Sequence, residues 1–516
     1  MPPEASLHQT MTQDEKSGGS VEGQSDMLEV DKVKSGGWLQ RLTVILARWG
    51  IETHGIAPIP AKARTDTRWY QMFFVWFSSN MNIYYRTSGP AFFGLGARDT
   101  IVIVLVVDAI ISALPAIFAV FGPKLGTRAM VQCRFSWGYY GSIIPSVLNV
   151  ISLQGFLILN CIIGGQTLAS VSSHLDDTLG IIVISLISLV LTFCGYRIVH
   201  WYESVAWIPN AIAFIAMIAV GYPQLRDNHT VTVPPPSPAS VLSYISLVAS
   251  TILSWCTMTP DYGVYHSPNA SSARIFFYTY LAFFTANITS HTLGAAFAAA
   301  ATNVPSWNTG FDNSSNVGGL VSAILGPIGG FGKFLTVLVA LSIPSACAPT
   351  MYSFGTSFMA VHSRFASVPR WIYVLISEGI LIPVAIIGAR KFYTTFVDVI
   401  NVIGYWSAVF ISIILVEHIF FRRASFTEDA YPITAWSTPS LLPNAIPAIV
   451  AFLCGCAVLI PCMSQAFYVG PIARMGTGDI GVLAGFFVSG VVYAVVRGLE
   501  KLRKWVRISQ KIGFDA

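Results

Sequence analysis

Charge is what this chain has least of. Only 11% of its 516 residues are Asp, Glu, Lys or Arg, where soluble globular proteins carry about 25%. With 54% hydrophobic residues and a mean hydropathy of +0.62, a water-soluble domain is excluded. The net charge of +5 is too thinly spread to mark a nucleic-acid partner and is expected to follow membrane topology and contact with lipid. The first 68 residues lack the apolar core of a cleavable signal peptide. Rich in Ser, Gly, Glu and Lys, they are expected to form a cytosolic, partly disordered tail. Eight cysteines are present, but no CxxC pair and no Cys/His spacing suited to zinc, so no metal is expected and the thiols are read as packing groups. Paired catalytic motifs such as HExxH and GxSxG are missing as well, which argues against an enzyme.

What the chain does have is apolar segments long enough to cross a bilayer core, which takes roughly 20 residues per helix. Twelve are expected between residues 69 and 496, followed by a basic cytosolic tail over 497–516. With both termini inside, the outer loops hold only Arg98, Arg226, Lys333, Arg390, Lys391 and Arg474, and the other loop cations, such as Arg64, Lys124, Arg128 and Arg422, lie inside. The positive-inside rule therefore predicts cytosolic termini. Glycosylation sequons at Asn228 and Asn313 fall on the outer side, which predicts a glycoprotein.

Two segments are interrupted. The sixth carries SWCTMTPDYGVY from Ser254 to Tyr265, and the first carries WFSSNMNIYYRTSGP from Trp76 to Pro90, with Asn80, Asn82 and Arg86 in an apolar context. Free backbone groups cost several kcal/mol in hydrocarbon, so such breaks are tolerated only where they line a cavity or are buried in protein. Broken helices five apart are what two inverted five-helix repeats would produce, with two helices appended, and they point to the binding site of a secondary transporter.

Ionisable residues inside spans are functional candidates. Asp261 lies at the break of the sixth span, where gating or coupling and helix capping are the alternatives. Asp108, deep in the second, suits either proton handling or a structural hydrogen bond. Glu378 has no local partner, and Glu417 is expected at the interface. In the third span Phe156 and Asn160 lie one turn apart and share a face, so an aromatic plate stands beside an amide that both donates and accepts, which suits a flat heterocycle. Trp255 is the candidate opposing plate. In the eighth span Pro344 and Pro349 free carbonyls that Ser342, Ser345 and Thr350 can satisfy, unless those hydroxyls bind ligand or cation.

Several blocks in order, RTDTRWYQMFFVWFSSN, FGPKLGTRAMVQCRFSWGYYG, NCIIGGQTLASV, CGYRIVHWYE, IGYWSAVF, ILVEHIFFRR and YVGPIA, resemble the nucleobase-cation symporter family, specifically its fungal purine-cytosine permease branch. The resemblance implies an all-α, leucine-transporter-type fold with a midplane site among helices one, three, six and eight, and proton symport without any cofactor. By position it puts Phe156, Asn160, Trp255 and Thr350 in the site; Asn80 and Asn82, at the break of the first span, are further substrate-binding candidates. Glu203 matches a carboxylate of the branch. The chain departs from close relatives at Phe156, where Trp is common, and before MYS in the eighth helix, where an Asn-rich stretch is common. The expected function is proton-coupled transport of a purine, pyrimidine or related heterocycle at the plasma membrane. The alternatives are the same fold carrying a pyridoxine-like vitamin or secondary metabolite, or a non-transporting membrane sensor.

Overall fold

The structure is a computed structural model that describes residues 54–81, 93–193, 195–228, 235–312, 316–389 and 392–512. Asn82, Arg86, Gly89 and Pro90, the glycosylation site at Asn313 and most of the expected N-terminal tail lie outside these residues. The longer helices are α1 (Trp69–Asn80), α2 (Ala97–Leu125), α3 (Ile143–Ala169), α4 (Asp177–Phe193), α5 (Gly195–Asn228), α6 (Pro238–Leu253) and α7 (Ser272–Ala301). They continue with α8 (Gly329–Ser342), α9 (Pro344–Val361), α10 (Arg370–Gly388), α11 (Phe392–Val416), α12 (Ile446–Cys462) and α13 (Gly481–Ile512). No strand occurs among the described residues. Eight helical segments among them are long and apolar enough to cross a membrane, and α4 and α12 are shorter apolar helices.

The packing is that of a protein solvated by lipid. On α2, Val102, Val106 and Ile110 are exposed while Thr100 and Asp108 are buried, and on α5 Ile208, Ile212 and Ile215 face outward while Glu203 and Asn210 are buried. Polar side chains gather inside because unpaired groups are costly against hydrocarbon. Helix α3 is central, packed by α4, α8, α9, α10 and α11, while α7 lies on α1 and α2 and α13 lies on α11 and α12.

Two expected boundaries shift. The chain before α1 is not a free tail up to residue 68. Ile56 and Ile59 are buried, the Ile59 amide donates to the Gly126 carbonyl at 2.8 Å, and Arg64 donates to the Pro123 carbonyl at 2.6 Å. At the other end, α13 runs without a break through residue 497. Glu417, expected at the interface, is buried and bonded to Arg422, Tyr493 and Arg497, because a carboxylate with three donors can leave water.

Candidate functional site

The break after α6 consists of two short 3-10 turns, Ser254–Thr257 and Thr259–Tyr262, joined at Met258. Pro260 supplies no N–H, and the turns are closed by Met258 N–H to Trp255 O at 3.0 Å and Asp261 N–H to Met258 O at 3.0 Å. The break is docked against α2 with no side chain between: a Cβ on Gly122 would lie 2.2 Å from the Pro260 carbonyl oxygen, and one on Gly263 would lie 2.4 Å from the Pro123 ring. Asp261 holds the break to two further elements. Its carboxylate accepts from the Ala129 amide at 2.7 Å and from the Thr356 hydroxyl of α9 at 3.0 Å. Arg128 donates to the Asp261 carbonyl at 3.3 Å and to the Tyr352 hydroxyl at 2.6 Å. Asp261 is thus a tie between the break, the loop after α2 and α9. Arg128 and Tyr352, its co-workers, carried no local signal of this role.

The described end of α1 is satisfied in the same way. Groups of three other helices reach its terminal carbonyls: the Asn210 amide of α5 donates to Met81 O at 2.6 Å, the Ser345 hydroxyl of α9 lies 3.3 Å from Ser78 O, which also accepts from the Met81 N–H at 3.2 Å, and the Ser290 hydroxyl of α7, closest to Ala286 O at 2.7 Å, lies 3.4 Å from Asn80 O. The exchange is reciprocal. Pro349 cannot donate to the Ser345 carbonyl one turn back, and the Ser79 hydroxyl of α1, whose one proton is shared with Val75 O at 2.6 Å, reaches that carbonyl at 3.0 Å. Of the two candidate cation-binding hydroxyls, the structure therefore brings Ser345 to α1, whereas Ser342 bonds Val339 O of its own helix. The Thr350 hydroxyl donates to Ala346 O at 2.7 Å, and the Asn80 amide donates to Trp76 O at 2.9 Å, also within their own helices.

Phe156 and Trp255 do meet, but not as the facing plates expected. Their centroids lie 5.5 Å apart at an interplanar angle of 79°, an edge-to-face contact that the ring quadrupoles favour and that leaves no slot between them. Behind Trp255 stand Trp76 and Phe283, stacked at 5.4 Å. On the side of the ring pair toward the start of α3 is a small cavity of about 20 Å³, lined by Asn149, Ser152, Phe156, Ser254, Trp255 and Met258 among others. That is room for about one water molecule, so a ligand of heterocycle size enters only if the rings move apart. One turn beyond Phe156, the Asn160 amide donates to Phe156 O at 2.8 Å while its carbonyl oxygen is buried with no hydrogen-bond partner. The Trp76 indole N–H is likewise buried and unpartnered. A buried unpaired acceptor and donor beside an aromatic cluster call for an explanation, and a polar, flat ligand is one.

The remaining candidates are dispersed. Glu203 on α5 is fully buried beside the Ser78 hydroxyl, and neither of its oxygens makes a regular hydrogen bond. Glu378 on α10 has no hydrogen-bond partner either. Asp108 meets His291 of α7 at 2.7 Å. His291 was not singled out from the sequence, although Asn287, Ser290 and His291 are spaced to share one helix face.

Comparison with known proteins agrees with this geometry. The family model for permeases for cytosine/purines, uracil, thiamine and allantoin matches residues 58–488. The chain is 34% identical to purine-cytosine permease fcyB of Emericella nidulans over 90% of its own length and 91% of that protein's. It is 33% identical to purine-cytosine permease FCY21 of Saccharomyces cerevisiae, over 90% and 89%. Among solved structures it is similar to Mhp1, a nucleobase-cation-symport-1 family transporter, in a closed conformation with bromovinylhydantoin bound, with a TM-score of 0.66, 16% identity and coverage of 87% and 96%. The fold is accordingly the leucine-transporter type expected. An integral membrane protein with two interrupted apolar segments, matched over most of its length, the chain belongs to the family of permeases for cytosine/purines, uracil, thiamine and allantoin and is a secondary transporter, not an enzyme.

Proposed function

We propose that the protein carries a purine, a pyrimidine or a related small heterocycle by proton-coupled alternating access at the plasma membrane, through twelve spans with both termini in the cytosol. The observation that carries this reading is the closed aromatic gate. The Phe156–Trp255 contact stands between a narrow cavity and the unpartnered Asn160 carbonyl. A base that parts the two rings gains two π-faces, and its ring N–H finds an acceptor already stripped of water, so desolvation of that carbonyl is no longer unrewarded. In this reading Asn80, Asn82 and Thr350 are the further substrate-binding candidates. Asp261, Glu203, Asp108 and the Ser345 contact are the groups through which occupancy would act on the two breaks.

The test is uptake of labelled cytosine, adenine, guanine, hypoxanthine, uracil and pyridoxine in a yeast lacking its own permeases. Accumulation of one of the bases, loss of it in Phe156→Ala and Trp255→Ala at unchanged surface expression, collapse with a protonophore and persistence in choline in place of sodium are the expected results. Wild-type uptake in both alanine variants would remove the rings from the site. Sodium dependence would refute proton coupling and direct attention to Ser345 and the carbonyls at the end of α1.

A further inference from the structure

We infer that the coupling proton is bound by the Asp108–His291 pair between α2 and α7, an inference that rests on the proton-coupled reading above. Asp108 is 0% and His291 2% exposed, with the Asp108 Oδ2 and His291 Nδ1 atoms 2.7 Å apart. The second carboxylate oxygen, Oδ1, is buried with no hydrogen-bond partner. A carboxylate that served only to anchor a helix would be expected to have both oxygens engaged, as Asp261 has. Here one acceptor is left open beside an imidazole, the side chain whose ordinary titration falls nearest neutrality.

The chemistry balances with one proton. With Asp108 ionised and His291 neutral the pair carries one negative charge inside the membrane. Adding a proton, shared between the carboxylate and the imidazole, brings it to zero, the state favoured in a medium where net charge is costly. The proton belongs to the pair and not to either residue. Loading from one side and release to the other is the whole cycle, with no other co-reactant.

Position links the pair to transport. Ser290, the residue next to His291, has its hydroxyl 3.4 Å from the Asn80 carbonyl at the end of α1 while its proton is closest to Ala286 O at 2.7 Å, so the turn of α7 that carries the pair lies against the described end of α1. Tyr280 of α7 donates to the Ala109 carbonyl, next to Asp108, at 2.8 Å, which fixes the register of the two helices. Other ionisable groups on the elements packed here include Tyr70 on α1, Arg98, Asp99 and Lys124 toward the ends of α2, His200, Tyr202, Glu203, Tyr222, Arg226 and Asp227 on α5, Tyr244 on α6, Cys256, Asp261 and Tyr262 in the break, and Arg274, Tyr278 and Tyr280 on α7. None of them is hydrogen-bonded to the Asp108 carboxylate. Glu203 is buried too, but it lies beside Ser78 and has no second titratable group bonded to it.

The experiment compares net accumulation with exchange. Wild type, Asp108→Asn, Asp108→Glu and His291→Gln are reconstituted in proteoliposomes, and the base most accumulated in the uptake panel is followed under an imposed proton gradient and, separately, in counterflow with equal pH on both sides. Counterflow needs no net proton transfer. In Asp108→Asn and His291→Gln, gradient-driven accumulation is expected to fall at least tenfold while counterflow stays within about threefold of wild type, and Asp108→Glu is expected to recover gradient-driven accumulation. Should Asp108→Asn fail to insert, His291→Gln decides alone. Accumulation retained in His291→Gln, or loss of counterflow together with accumulation, would overturn the assignment. Wild-type accumulation indifferent to the proton gradient would overturn the coupling reading, and this assignment with it, before any variant is measured.

Discussion

Replacing Gly122 by Ala tests whether the docking of the α6 break on α2 is required for transport. The added methyl carbon would lie 2.2 Å from the Pro260 carbonyl oxygen and 3.1 Å from the Gly263 Cα. Ordinary contact begins near 3.4 Å, so the two backbones must separate by about 1 Å, and no flexible side chain is available to yield instead. Overpacking of this kind costs roughly 1 to 3 kcal/mol of stability, and a displacement near 1 Å of a positioned binding element costs on the order of a hundredfold in rate. The neighbouring tie makes relaxation harder, because Asp261, one residue from Pro260, is held by Ala129 and Thr356. Uptake normalised to surface protein is therefore expected to fall about a hundredfold, with a lowered melting temperature in detergent. Gly379→Ala is the control: it sits within α10 with nothing within 4 Å of the new methyl, and it is expected to leave uptake unchanged. Uptake within twofold of wild type in Gly122→Ala, at unchanged melting temperature, would refute the claim that this backbone contact positions the break.

Three further outcomes are expected. Ser79→Ala removes the hydroxyl that reaches the carbonyl freed by Pro349 and should destabilise the protein by about 1 to 2 kcal/mol; in a Pro349→Ala background, where a helical N–H is restored, the same change should cost much less, and equal cost in both backgrounds would sink the pairing. Thr350→Asn, by adding an amide donor and acceptor where the hydroxyl now bonds Ala346 O, should increase competition by cytosine and adenine, which the wild type is expected to bind weakly; tight cytosine competition in the wild type would contradict it. The segment before α1 should detach in acid: burial raises the Asp66 carboxyl, but the Arg68 guanidinium 2.9 Å away outweighs this and holds it below its ordinary 3.8, while burial holds His266 below its ordinary 6.5. Arg68 leaves with Asp66 on the same segment, so the linkage rests on His266, which binds its proton more readily once release exposes it to water: the attachment is strongest above about 6.5 and weakens as pH falls through the lowered His266 value; proteolysis of residues 54–68 that rises on acidification is the measurement, and a flat pH profile would count against it.

The membrane class, the two interruptions and the family were legible in the sequence because each is written in neighbouring residues. Hydropathy is a local sum, Pro260 and Gly263 break a helix wherever they stand, and the ordered blocks from RTDTRWYQMFF to YVGPIA carry the resemblance. Of the candidates chosen by residue type and helix spacing, Trp255 and Asp261 are in the break and Phe156 touches Trp255. What spacing could not supply was partnership across the chain. Ser79 meets the Ser345 carbonyl 266 residues away, and Asp108 meets His291 across 183; nothing local in either segment names the other. Nor could residue type decide how a polar group is engaged. Thr350 and Ser342 turn their hydroxyls onto their own helices while Ser345 reaches another, a choice made by which carbonyl has lost its donor and lies within reach. The angle between Phe156 and Trp255 was likewise decided by packing, edge to face being one of the two arrangements that ring quadrupoles favour, while the neighbouring Trp76 and Phe283 take the other.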